Sequence, residues 1–445
     1  MNSLPGNQVR SIARPESPKV GWLPWWTRPS LLLLGASLPA LLLFSASDSS
    51  QTLSKAQLFY GYRDLVVGIA AIALLACGAM IGESGLFRQI GNALSPGSGR
   101  PSRHAGIPRL GETMLSERFD RFLMGVFLVA HLIFLREFFL NPGLAMAVLG
   151  GNVELKHDFK TVPGVTIWTQ VSLLLGVLRG LRWSGILPGQ IKLISWFHII
   201  FFGTLFVRAL LWSERLALIE GGVPFFLGAL PRLAANLGPR WRTILRLLPI
   251  LLPVMLLVVF TAFEALRSWQ YYSGQHSSIF EFGWRRLYTY YFEAMNTGAA
   301  ILAQSGFYNG LTGPLSEDAY EQIYKGLYLG SLDVEYNNNS GIWYIAARNG
   351  NLLFAPVFLM IGAWFGATWR GFVAGRLFGL FYPFTFIGLM EIIRIPYWMG
   401  INRALPTTLV IVLILCWAAT LKHRIRTRRA DSAPRPGGYS APFYR

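Results

Sequence analysis

Long apolar runs separated by short arginine-rich segments set the pattern of this chain. A helix needs about 20 mostly apolar residues to cross roughly 30 Å of hydrocarbon. About ten stretches approach that length: Leu31 to Ala46, Leu65 to Ile81, Phe122 to Leu140, Val165 to Leu178, Ile191 to Trp212, Leu216 to Leu230, Leu247 to Phe263, Leu352 to Thr368, Phe372 to Met390 and Leu405 to Leu421. The fourth and sixth are short and interrupted by glycine. The pattern predicts an all-α polytopic membrane protein with about ten transmembrane helices. It divides the chain into an N-terminal tail (1–29), a transmembrane domain (30–421) and a basic C-terminal tail (422–445) that opens KHRIRTRR. The first tail stays polar and basic for longer than the positive region of a signal peptide. No small-residue cleavage site follows the first apolar run, so it is expected to be retained.

Orientation follows from the cations. With the N-terminus inside, the segments Arg88 to Arg121, Arg179 to Lys192, Arg232 to Arg246 and Arg370 to Arg376, and the C-terminal tail, all fall on the cytoplasmic side. A missed or extra span would invert that bias downstream of it, so an even number of spans is favoured and both termini are placed on the cytoplasmic side of the membrane. The remaining segments face outward. The largest runs from about residue 267 to 351, far longer than a connection between spans requires. Its FGWRRLYTYYFEAMNTGAAILAQ, followed by the polar SGFYNGLTGPLSED, predicts short amphipathic helices near the membrane surface.

Composition narrows the class. With 53% hydrophobic and 14% charged residues and a mean hydropathy of +0.42, a soluble domain is excluded. A net charge of +18 would suggest nucleic acid in a soluble protein. Here the cations sit in the basic loops, and nucleic acid is not an expected partner. Cys77 and Cys416 lie in apolar runs as small hydrophobes. No histidine or cysteine pair has metal-ligand spacing and the acids form no metal motif, so no metal and no cofactor are expected.

Charges at membrane depth are costly and therefore candidates for function. Four groups fall on the outer side: Arg136 and Glu137; Arg208, Glu214, Arg215 and Glu220; Arg285 and Arg286; and Glu391, Arg394 and Arg403. Arginine binds phosphate oxygens bidentately and keeps its charge, so a pyrophosphate ligand would account for this cluster. Buried structural pairs, Arg136 with Glu137, Arg215 with Glu214 or Glu220, and Arg394 with Glu391, are the alternative. A general base for a sugar hydroxyl would be Glu214, Glu220, Asp333, Glu335 or His276, while mid-span His198 reads as a satisfied core residue. EYNNNSGIW, from Glu335 to Trp343, offers three amides beside an aromatic for sugars, or else a polar turn.

Three stretches carry a resemblance: PGVTIWTQ (Pro163 to Gln170), RALLWSERLALIE (Arg208 to Glu220) and NNNSGIW before a late span. Together with the topology, the pattern resembles the bacterial oligosaccharide repeat unit polymerases, the Wzy-type O-antigen and exopolysaccharide polymerases. The resemblance implies a membrane fold of the glycosyltransferase C type and inverting, metal-independent transfer between undecaprenyl-pyrophosphate-linked oligosaccharides, which serve as donor and acceptor. By similarity, Arg208, Arg215, Arg285, Arg286, Arg394 and Arg403 would bind the donor pyrophosphate. Glu214 or Glu220, with Arg215, would carry the catalytic step. Asn337, Asn338, Asn339, Trp343 and Tyr397 would contact sugar. A chain-length regulator and a flippase are the protein partners this implies. Paired Arg-to-Gly repeats in two external loops are absent, so no alternating capture is carried over. An O-antigen ligase, or a transporter of lipid-linked oligosaccharide, remains the competing reading.

Overall fold

The computed structural model describes residues 23–46, 57–86, 115–150, 162, 164–187, 189, 191–212, 216–267, 269, 273–274, 276–310, 316, 318–319, 322–323, 326, 340–397, 408–414 and 417. Among them the regular elements are helices: α1 (Pro29–Ala46), α2 (Tyr62–Ser84), α3 (Glu117–Phe134), α4 (Arg136–Leu140), α5 (Pro142–Leu149), α6 (Val171–Trp183), α7 (Trp196–Leu211), α8 (Leu216–Asn236), α9 (Pro239–Arg267), α10 (Ile279–Gln304), α11 (Gly341–Val373) and α12 (Tyr382–Met390). Short 3₁₀ turns precede α6 (Thr166–Gln170) and α12 (Leu377–Phe381).

Four of these helices, α1, α2, α8 and α11, are long and apolar enough to cross a membrane. A fifth is reached if Pro239–Leu251 and Val254–Ala262 of α9, bent by 65° at the break containing Pro253, form one span. Among the described residues, four or five of the ten expected spans meet this criterion. Trp196–Leu211 and Leu377–Met390 are apolar but short. The expected tenth span is described only at 408–414 and 417.

Glycine dictates the closest packing. Gly78 and Gly82 of α2 meet Gly362 and Gly366 of α11, two small-xxx-small stripes lying face to face. A Cβ on Gly82 would sit 2.3 Å from the Ala363 carbonyl oxygen, and one on Gly366 would sit 2.1 Å from that of Ala79. The two helices run parallel, because rising numbers on one meet rising numbers on the other. The same arrangement recurs between α6 and α8: a Cβ on Gly176 would lie 2.6 Å from Gly221 O, and one on Gly180 2.2 Å from Phe225 O. Each pair thus brings backbone against backbone, and the dispersion contacts so gained hold helices together where lipid removes the hydrophobic drive.

One end of the bundle is tied by buried charges. Glu83, at the end of α2, accepts from Ser30 N, Ser30 Oγ and Arg28 Nη2, each at 2.9 Å. Arg182 of α6 donates through Nε at 2.5 Å and Nη2 at 3.0 Å to Asp120 of α3, and to Leu115 O at 2.8 Å. Arg179 lies 3.6 Å from Asp120 and stacks at 3.9 Å on Phe197. This corrects the expected loop from Arg179 to Lys192, since α6 continues through Trp183 and buries both arginines. Partner carboxylate and ring are what make burial of these charges tolerable. His198 is a satisfied core residue: Ser195 Oγ lies 3.0 Å from Nδ1 and Arg179 Nε 3.4 Å from Nε2.

At the other end, α10 is one 26-residue helix in place of the several short ones expected. It starts from a capping arrangement, with Ser278 Oγ accepting from Glu281 N at 3.2 Å. It then crosses the ends of several helices: Gly283 against Thr261 of α9, Tyr288 hydroxyl donating to Phe44 O of α1 at 3.1 Å, and Gly298 against Trp343. Asn296 anchors the segment before α2. Its Oδ1 accepts from Phe59 N at 2.7 Å and Tyr60 N at 3.0 Å, and its Nδ2 donates to Gln57 O at 2.8 Å. Asn296→Ala would leave those amides unmet and is expected to cost about 2 kcal/mol, read as a lowered Tm of the purified protein.

Candidate functional site

α11 breaks at Gly350, whose φ of 71° and ψ of 173° no helix interior allows. The 23 residues from 351 to 373 span about 35 Å, whereas the return through Leu377–Phe381 and α12 rises only about 23 Å. The chain therefore turns at Glu391 while still inside the bundle, and the segment 341–349 lies over the turn. Gly341 N donates to Arg394 O at 3.1 Å, and a Cβ at Gly341 (φ +51°) would sit 1.9 Å from Ile393 O. Only glycine permits that approach.

The turn Glu391–Tyr397 presents its polar groups to three helices. Arg394 Nε donates to Glu391 Oε2 at 2.8 Å, and its guanidinium lies 4.1 Å from the ring centre of Tyr290 in α10. Tyr291 adjoins the same pair. Burial first, and the negative charge of Glu391 second, push its hydroxyl far above the ordinary phenol value. Tyr397 hydroxyl donates to Glu220 Oε1 of α8 at 2.9 Å, although 177 residues separate them. Glu220 and Tyr397 are 2% and 0% exposed, so a carboxylate is held inside the bundle one turn from the start of α8. The result is a buried layer of Glu220, Tyr397, Glu391 and Arg394 roofed by tyrosines of α10.

Asp64, at the start of α2, adjoins this end. It caps α2 by accepting from Gly61 N at 2.9 Å and takes a short hydrogen bond from Tyr308 hydroxyl. Burial, then the bond to Asp64, raise the Tyr308 hydroxyl well above the phenol value, so it remains a donor at neutral pH. Trp343 Nε1 donates to Asp64 O at 3.0 Å.

Among the residues expected to act together, Glu220, Arg394 and Tyr397 fall in one layer, where Tyr397, 0% exposed, is a buried partner of Glu220 in place of the sugar contact expected of it. Arg208 is buried on α7, its guanidinium 4.8 Å from the ring centre of Phe134. Arg285 is half exposed and paired with Glu281 at 2.9 Å, and Arg286 lies 3.9 Å from Glu264. Arg136 pairs with its neighbour Glu137 at 3.2 Å and Arg394 with Glu391 at 2.8 Å, the structural alternative in both cases. Trp343 is corrected from a sugar platform to a core residue, being 0% exposed with Gly68 and Gly298 against its side chain. Glu214, Arg215, Arg403, Asn337, Asn338, Asn339, Asp333 and Glu335 lie outside the described residues.

Sequence reasoning missed Asp64, Tyr290, Tyr291 and Asn296. Asp64 carried a usable signal, an acid at the mouth of an apolar run. The α10 tyrosines carried none, because nothing local distinguishes a ring over a guanidinium from one at the membrane surface. Among the described residues no group of three or more His, Cys, Asp or Glu is placed to hold a metal ion. Compared with protein-family models, with curated proteins and with solved structures, the chain has no significant match to any of them.

Proposed function

We propose that this membrane protein polymerises undecaprenyl-pyrophosphate-linked oligosaccharide repeat units by inverting glycosyl transfer, with the Glu220–Arg394 layer on the outer face of a bacterial inner membrane. The observation that supports the reading is a carboxylate and a guanidinium buried in one layer of an apolar bundle beneath an aromatic-rich helix. In this scheme the acceptor hydroxyl gives its proton to Glu220 as its oxygen bonds to the anomeric carbon of the donor. The bond from that carbon to the pyrophosphate breaks with its electron pair on phosphate. Arg394, with Arg208 and the arginines of the outer loops, offsets the charge that develops there. Tyr397 orients the carboxylate. The basic segments place both termini in the cytoplasm by the positive-inside bias, and the remaining apolar helices complete about ten crossings.

The test is reconstitution in vesicles with a synthetic lipid-linked repeat unit and gel analysis of the glycan ladder. Glu220→Gln, which keeps the shape and one acceptor oxygen, is expected to lower the rate by roughly 10²- to 10⁴-fold. Tyr397→Phe is expected to lower it about tenfold, the equivalent of one hydrogen bond of about 1.4 kcal/mol. A full ladder from monodisperse Glu220→Gln protein would refute the assignment.

One observation favours a transporter of the same lipid-linked sugar: two parallel, glycine-packed helix pairs, α2 with α11 and α6 with α8, suited to rocking as units. Movement of the lipid-linked unit across the vesicle membrane without a ladder would select that reading.

A further inference from the structure

Away from the Glu220–Arg394 layer, an apolar groove of about 460 Å³ runs along α3. Its floor is Arg121, Phe122, Gly125, Val126 and Val129, and Trp168 of the 3₁₀ turn before α6 stands on the far side with Val165. From Arg121 to Ala130 the helix rises about 14 Å, the length of a run of about ten methylenes. Gly125 opens the middle, where an added Cβ would meet nothing within 4 Å. Phe122 and Val129 are exposed among the described residues, at 65% and 56%, so the groove is open along its side.

The charge is confined to one end. Arg121 is exposed and makes no hydrogen bond, ion pair or ring contact with any other described residue. Its neighbour Asp120 points inward and is fully engaged by Arg182, so it does not neutralise Arg121. Glu117, one turn earlier, is exposed and unpaired with it among the described residues. A slot that is apolar along its length and cationic at its mouth, at the level of the buried Asp120–Arg182 pair, complements one ligand chemistry: a hydrocarbon tail ending in an anionic headgroup.

We propose that this groove is a specific site for an anionic phospholipid, one acyl chain lying between α3 and Trp168 and its phosphate held by Arg121. The mouth at Arg121 lies toward the end of the bundle away from the Glu220–Arg394 layer, and the groove shares no residue with that layer, so the site is independent of the catalytic reading.

The test uses Gly125→Cys in a Cys77→Ala, Cys416→Ala background, labelled with a bimane fluorophore and reconstituted in phosphatidylcholine vesicles that contain 10% brominated lipid. Brominated phosphatidylglycerol is expected to quench at least threefold more strongly than brominated phosphatidylcholine with the same chains. Arg121→Gln, a change at an exposed side chain without partners among the described residues, is expected to abolish that preference while leaving the melting temperature of the protein unchanged. Equal quenching by the two lipids would overturn the proposal. So would absence of quenching by either, the result expected if a second copy of the chain or another segment covers the groove, and so would a preference that survives in Arg121→Gln.

Discussion

Gly82→Val and Gly366→Val are each expected to abolish accumulation of folded protein in the membrane. A valine Cβ at either position would fall 2.3 Å or 2.1 Å from a carbonyl oxygen of the facing helix, and no rotamer relieves a clash that begins at Cβ. The helices must separate, and every contact along the stripe from Gly78 to Gly82 is lost with them. Ordinary core overpacking costs about 1–3 kcal/mol. Here the obstacle is backbone on both sides, so at least the upper end of that range applies. Gly203→Val is the control, because a Cβ there meets nothing within 4 Å. Size-exclusion profiles of the detergent-extracted variants check the expectation, and a monodisperse Gly82→Val at normal yield would show that the pair α2–α11 tolerates separation.

Asp120→Leu is the second change with a large expected effect. Asp120 is 0% exposed and is the described carboxylate against which Arg182, also 0% exposed, and Arg179 are neutralised. Removing it leaves two buried cations, and breaking a buried pair from one side costs about 3–5 kcal/mol. Thermal unfolding in detergent should show a correspondingly lowered midpoint. Asp120→Leu combined with Arg182→Met should regain part of the loss, because the worst-placed charge goes with its partner. The regain is incomplete, since Arg179 stays, stacked on Phe197 and bonded to His198. If the single and double variants melt alike, the arginines are neutralised by something other than Asp120.

The candidate site was legible in part, residue by residue. Glu220 and Arg394 stand out in the sequence because a charge inside an apolar run is costly wherever it ends up, and that cost does not depend on knowing the partner. What each one touches was not legible. Glu220 meets Tyr397 across 177 residues, and Arg394 meets Tyr290 on a helix that the sequence broke into several pieces. Trp343 misled for a related reason: an aromatic next to asparagines suits a sugar platform, yet its indole N–H satisfies a carbonyl at the start of α2 in the interior.

By itself the sequence determined the helical, membrane-embedded class, because apolar length and the spacing of cations report the solvent each segment requires. It also set the position of the glycine stripes, though not their use. Only the tertiary structure decided that Gly78 and Gly82 face Gly362 and Gly366 in parallel, that α6 runs on through two buried arginines to find Asp120, and that the turn at Glu391 stops short inside the bundle. Each of these rests on a partner distant in the chain. Periodicity and hydropathy record the environment a residue needs, while the identity of its neighbour is fixed only when the helices pack.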